Sequence, residues 1–255
     1  MVHNIPVNEE LKKIHEEKLV ISSFDVGASG HLETPALMRH LQEAAARHAI
    51  ALGVGFEDFI KENIFWALTH LQVEVNRWPK MNENVTVETW PRNIQKLYTT
   101  RDYLLKDTQN NILIRGTSAW IMVDIKRKRP VRPNERLQFM PFLPELKALG
   151  EFPEYISTKP ENKLTEHRHE VVYSDLDINR HVNNTRYMEW VMDAIATIRE
   201  QEIASFNIHF TSEFRKGETG IIKIGNSQQM KGSIIFNIEH AESAKTGCSG
   251  MVKFI

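Results

Sequence analysis

Cysteine is almost absent. The one residue, Cys248, excludes an intramolecular disulfide and suits a reducing compartment. No apolar run approaches the roughly 18 residues a bilayer-spanning helix needs. Met1–Lys18 is polar and acidic, without the apolar core of a secretory signal. Charge of one sign is not in excess either: 32 Lys and Arg stand against 33 Asp and Glu, so nothing draws the whole chain to nucleic acid or to an anionic membrane. What is present is apolar content, 41% of 255 residues, enough for a sizeable core in one large domain or two small ones. The expectation is a soluble cytoplasmic protein of mixed helix and strand.

Read from the start, Glu9–Lys18 is charged and reads as a short helical or frayed arm. Leu19–Val26 reads as a strand, ended by Gly27, Ser29 and Gly30. Thr34-Pro35 looks like a helix cap followed by a first-turn proline. Leu37, Leu41, Ala44, Ala45 and His48 carry a helical period to a stop at Gly53. Strand candidates follow at 65–76, 85–90, 97–106 and 112–123, with a turn at Asn110-Asn111. Residues 126–162 read as a linker. Lys126, Arg127, Lys128, Arg129, Arg132 and Arg136 make its start basic, and Pro130, Pro133, Pro141, Pro144 and Pro153 keep it irregular. From about Lys163 the order returns: a strand to Tyr173, a loop, a helix to about Glu200, and strands near 205–214, 220–228, 233–239 and 245–254.

The return is a repeat. Subtracting 150 from Asp175, His181, Met188 and Ala194 gives Asp25, His31, Met38 and Ala44. Each half then reads as an α+β unit whose antiparallel sheet wraps a long helix, and two units side by side cover each other's open edge and apolar face. The units span residues 1–125 and 163–255. The repeat is not symmetric. Asp177 falls on Gly27 and Asn179 on Ser29, and His31 alone keeps its polar partner. The second unit is therefore expected to carry chemistry and the first to shape the binding site, with His31 structural.

The segment Tyr173–Tyr187 gathers carboxylates, amides and an imidazole where a strand hands over to a helix, where free backbone N–H groups and the positive dipole end are available. Asp177, Asn179 and His181 alternate, a spacing that points all three to one side of an extended segment. The run Asp175-Leu176-Asp177-Ile178-Asn179-Arg180-His181-Val182-Asn183-Asn184, with Tyr187 beyond it, resembles the signature of acyl-acyl carrier protein thioesterases of the FatA/FatB type. The likeness covers essentially the whole chain and implies a tandem (double) hot-dog fold. It carries the family's catalytic Asp, Asn and His onto Asp177, Asn179 and His181. The family's further acidic residue falls on Glu213, in Ile208–Arg215, on the strand after the helix. Plant members have a cysteine just after that glutamate. Here the position is Phe214, which puts an acyl-cysteine route in doubt. The plant transit peptide is missing from this sequence, and the expectation is a bacterial, cytosolic version.

The implied reaction is hydrolysis of a fatty acyl thioester on the phosphopantetheine arm of acyl carrier protein. An imidazole, ordinarily titrating near about 6.5, suits general-base work. Whether His181, Glu213 or Asp177 is the base stays open in the sequence. Asn179 can donate to the carbonyl oxygen as it gains charge. Bland roles stand beside these. Asp and Asn routinely cap turns, Glu213 beside Arg215 and Lys216 can be a plain surface ion pair, and Asn183 and Asn184 fit helix capping. A metal is not expected, because His167, His169 and His181 lack ligand spacing and no second cysteine exists. No cofactor is implied. Leu37, Leu41, Ala44, Ala45, Phe65, Trp66 and Trp120 are candidates for an acyl tunnel or plain core. The basic linker could dock the acidic carrier. The rival readings are an acyl-CoA thioesterase of the same fold and a non-catalytic acyl-binding module. The fused halves can act as a monomeric pseudo-dimer, and a homodimer is also compatible.

Overall fold

Period-two patterns make the strands and period-3.6 patterns the two long helices. The computed structural model describes residues 13–133, 135–150, 160–198, 202–226 and 232–255. The first unit runs β1 (His15–Val20), α1 (Thr34–Ala51), a short α2 (Phe56–Ile60), then β2 (Ile64–Val75), β3 (Asn84–Gln95), β4 (Tyr98–Asp107) and β5 (Ile112–Asp124). The second runs β7 (Asn162–Glu170), α3 (Asn184–Ala196), β8 (Ile203–Phe210), β9 (Thr219–Asn226), β10 (Ser233–His240) and β11 (Thr246–Phe254). A short strand between the units, β6 (Arg129–Val131), pairs with β5.

All of these strands join one antiparallel sheet in the order β1-β3-β4-β5-β2-β8-β11-β10-β9-β7. Read inward from either edge, the two halves present equivalent strands in the same order. They meet where β2 pairs with β8, from His70 opposite His209 to Glu74 opposite Ser205. Neither half therefore keeps an open inner edge. The two helices lie side by side, and Arg39 of α1 meets Glu189 of α3 at 3.0 Å. These residues are 150 apart, so the pair bridges equivalent positions of the two units.

α1 buries Leu37, Met38, Leu41, Ala44 and Ala45 against the first half-sheet, and α3 buries Tyr187, Met188, Trp190, Val191 and Ala194 against the second. Each fully buried side chain of Leu or Met size contributes about 1.5–3 kcal/mol relative to exposure. The resulting core runs unbroken through both units. This is the tandem hot-dog arrangement that the signature implies.

Four sequence expectations change. The first strand is His15–Val20, not Leu19–Val26. Alternate residues of His15–Val20 face inward, although the run is mostly charged, while 22–33 are used by turns. This replaces the helical arm; its start at Glu9–Lys12 lies outside the described residues, as do Pro153 and the expected helix end at Glu200. α1 starts at Thr34 itself, with Glu33 at the cap position making no side-chain cap bond. Gly53, at φ +70°, ends the helix region as expected.

The linker is also less irregular than its prolines imply. Beyond β6, residues 135–139 form a 3-10 turn that buries Leu137. Residues 143–150 are then strapped to β3 and β4. Trp90 Nε1 donates to Leu146 O at 2.9 Å, and Arg92 donates to Gly150 O at 2.9 Å. Arg92 faces the buried Asp102 carboxylate at 3.4 Å. Burial raises the Asp102 pKa against the hydrogen bond from Thr117 and the Arg92 charge.

Candidate active site

The loop before α3 is held by its own backbone. The Asp175 carboxylate accepts from Val172 N at 2.9 Å and pairs with His169 Nε2 at 2.8 Å. Asp177 N–H donates to His181 O at 2.8 Å, and Arg180 N–H donates to Asp177 O at 3.0 Å. That turn places Arg180 at φ +61°. Asp177 Oδ1 accepts from Asn179 N at 2.8 Å and His181 N at 3.3 Å. Asn183 caps α3, its Oδ1 accepting from Thr185 N at 3.0 Å.

The loop before α1 repeats the turn's framework, without the Asp177 carboxylate bonds or the Asn183 cap. Ser22 N bonds Asp25, Gly30 N bonds Gly27 O, and Glu33 N bonds Asp25 O, each the equivalent of a bond 150 residues later. The left-handed position is Gly30 there, at φ +72°. The repeat seen in four residue identities is thus a repeat of backbone hydrogen bonding.

The turn after β8 brings the fourth residue in. Val182 N–H donates to Phe214 O at 2.9 Å, tying the two loops together. Phe214 N–H in turn donates to the Tyr187 hydroxyl oxygen at 3.2 Å. Burial pushes the Tyr187 pKa up, so the hydroxyl stays neutral. The Phe214 ring is fully buried and stacks on His240 at 3.7 Å. Glu213 is thereby fixed beside the helix start, with Oε2 3.2 Å from His181 Nδ1. The imidazole is 20% exposed and the carboxylate 49%. Glu213 lies beyond the end of β8, not on the strand as the resemblance implied, because pairing with β11 stops at Phe210.

Asn179 reaches out of the loop to a cavity of about 210 Å³ built almost wholly by the first unit. Ala45, Ala46, Ala49 and Ile50 of α1 form one wall; Phe65, Trp66, Thr99, Arg101 and Trp120 come from the sheet. Val54 and Phe56 at α2, and Met140 from the linker, complete the lining. Trp66 is fixed by its Nε1–H bond to Val54 O at 2.9 Å. Arg101 is buried and donates to His48 Nδ1 at 3.1 Å and Thr89 Oγ1 at 3.2 Å.

The acyl-ACP thioesterase N-terminal domain pattern matches residues 12–138, and the acyl-ACP thioesterase C-terminal domain pattern matches residues 158–253. The chain belongs to the acyl-ACP thioesterase family. Among curated relatives it is 29% identical over 214 residues to a chloroplastic palmitoyl-acyl carrier protein thioesterase of Gossypium hirsutum, covering 78% of this chain and 52% of that one. It is 29% identical over 199 residues to oleoyl-acyl carrier protein thioesterase 1 of Arabidopsis thaliana, covering 71% and 54%. The chain spans about half the length of the curated relatives it matches. In fold it resembles the crystal structure of an acyl-ACP thioesterase from Bacteroides thetaiotaomicron, with TM-score 0.83, 24% identity and coverage of 97% and 100%. It also resembles the 12:0-ACP thioesterase of Umbellularia californica, with TM-score 0.85, 21% identity and coverage of 97% and 98%.

In this acyl-ACP thioesterase family member, the signature residues do not all point one way. His181 meets Glu213, Asn179 borders the cavity, and the Asp177 carboxylate turns back onto the loop's N–H groups. The loop is turned at Arg180, so the alternation expected of an extended segment does not apply. Of the tunnel candidates, Ala45, Phe65, Trp66 and Trp120 line the cavity, whereas Leu37, Leu41 and Ala44 face the sheet and are plain core. Cys248 is fully buried in β11, which raises its thiol pKa well above the usual value.

His31 pairs with Glu202 at 3.1 Å on a second cavity of about 660 Å³. Among the described residues no group of three or more His, Cys, Asp or Glu side chains is arranged to hold a metal ion. No described helix is long and apolar enough to cross a membrane. Sequence reasoning passed over Gln42, Thr99 and Arg101 at the cavity wall. Gln42 had a signal: it shares a helix face with Ala45 and Ala49, three and seven residues on.

Proposed function

We propose that the chain hydrolyses the thioester of fatty acyl-acyl carrier protein, releasing the free fatty acid and ending chain elongation. The observation that carries this reading is the His181–Glu213 pair at 3.2 Å, with His181 in the same loop as Asn179, which lies at the wall of an apolar cavity. With Glu213 accepting the Nδ1 proton, His181 Nε2 is left as the basic nitrogen. It takes a proton from water as the water oxygen bonds to the thioester carbon. The Asn179 amide donates to the resulting oxyanion. The carbon–sulfur bond then breaks, and the departing thiolate takes the proton from the imidazolium. Asp177 is a positioning residue here, since its carboxylate fixes the backbone carrying Asn179 and His181. The nucleophile is water, because the only thiol, Cys248, is buried and protonated.

The first unit is the acyl-chain half and the second the catalytic half. The acyl chain enters the cavity walled by α1, which is lined mostly by apolar side chains. The exposed turn Lys126–Arg129 supplies the charge to meet an acidic carrier protein. The single cysteine favours the cytoplasm as compartment.

The test is thiol release from purified acyl-carrier proteins of graded chain length, with the matching acyl-CoA esters alongside. The expected result is turnover on the carrier substrates with kcat/KM above that on CoA. Equal or better turnover on CoA overturns the carrier assignment. Binding of acyl-carrier protein without thiol release overturns the hydrolase.

A further inference from the structure

The two units form two related half-sites, each made from the loop of one unit and the long helix of the other. One is the cavity beside Asn179, walled by α1. The other is the cavity beside His31, walled by Glu189, Met192 and Asp193 of α3. The offset of 150 relates the two linings at two positions. Asn179 answers to Ser29, and Gln42 answers to Met192; all four face their cavities. Each loop's histidine also meets a carboxylate, His181 with Glu213 at 3.2 Å and His31 with Glu202 at 3.1 Å, although the two carboxylates come from unrelated positions of the repeat. The half-sites differ in their amides, and the half-site without Asn179 also lacks Gln42.

Gln42 carries a further mark. Its side-chain amide nitrogen is buried and has no hydrogen-bond partner among the described residues. A buried donor without an acceptor is costly unless a ligand supplies one. Gln42 lines the same cavity as Asn179, with its amide nitrogen just beneath the cavity surface, where a small side-chain rotation brings it to a bound acyl thioester.

Resting on the reading of the site as a thioesterase, we infer that Gln42 is a second oxyanion donor. Its N–H bonds the thioester carbonyl oxygen together with the amide of Asn179, so that each unit contributes one arm of the cradle. This is a catalytic role taken across the unit boundary. It explains why the amide pair occurs in one half-site and not in the other.

The test uses the full chain with fatty acyl-carrier proteins of graded chain length, comparing wild type, Gln42→Met and Gln42→Glu. The Met variant installs the residue of the other half-site. The Glu variant keeps the shape and loses the donor, so it also serves if the Met variant fails to fold. The expected result is a fall in kcat of about 100- to 1,000-fold in both, with KM changed less than about threefold and the melting temperature held. Kcat within about threefold of wild type, or a loss confined to KM, overturns the role of Gln42 alone. A wild-type chain that releases no thiol overturns the thioesterase reading, and this inference with it.

Discussion

Replacing Glu213 by glutamine separates the catalytic reading of that residue from a plain surface ion pair. The contact is one oxygen at 3.2 Å from His181 Nδ1, with the carboxylate about half exposed. An ion pair in such a setting contributes about 0–1 kcal/mol to folding. In a chain of this size 1 kcal/mol moves Tm by about 2–4 °C. Glu213→Gln should therefore melt within about 4 °C of wild type. Its activity should fall much further. The amide oxygen can still accept a hydrogen bond from Nδ1–H, but it carries no charge to stabilise the imidazolium that forms when water is deprotonated. In a buried triad the matching carboxylate-to-amide change costs about 10⁴-fold in kcat. Solvent around the half-exposed Glu213 lowers that, and about 10²- to 10³-fold is expected. The assay is thiol release from acyl-carrier protein at saturating substrate, paired with a thermal melt. A variant that keeps kcat within about threefold would refute the argument. So would one that loses activity and more than about 8 °C together, since that marks a structural residue.

Cys248→Ala should keep kcat within about threefold, because the thiol is buried in β11; an inactive, folded variant would overturn the water-nucleophile assignment. Ala49→Leu adds three carbons to the cavity wall, and at about 0.8 kcal/mol per buried methylene it should cut kcat/KM on the longest accepted chain by about 60-fold and spare shorter ones; a uniform loss across chain lengths would place the acyl chain elsewhere. His70 gives a stability test with pH. Burial, then the adjacent His209, lowers its pKa from 6.5 to about 3 in the fold. The unfolded chain binds the proton first, so this contribution is full above about pH 6.5 and is lost as pH falls toward 3. The ceiling is about 1.4 kcal/mol per pH unit, reduced by the solvent that reaches the ring. His70→Gln should flatten the denaturant midpoint between pH 6.5 and 4, and an unchanged slope would refute the burial argument.

Much of this protein was legible because its signals are local. The periods of α1 and α3, the turn residues between strands, and the offset that joins His31 to His181 are properties of neighbouring residues, and hydrophobic patterning reports them directly. The charged first strand was missed because its alternation runs through Glu and Lys, where apolar content gives no cue. The linker was misjudged because the bonds from Trp90 and Arg92 that hold it come from residues more than fifty positions away.

By itself, then, the sequence determined two α+β units, their near-identical loops, and the concentration of Asp177, Asn179 and His181 in only one of them. Tertiary structure alone decided that Asp177 faces its own backbone, that the Phe214 anchor carries Glu213 to His181, and that Asn179 opens on a cavity belonging to the other unit. The physical reason is that side-chain direction in a turned loop depends on φ at Arg180 and on hydrogen bonds closed across distant strands, and neither is written in residue spacing.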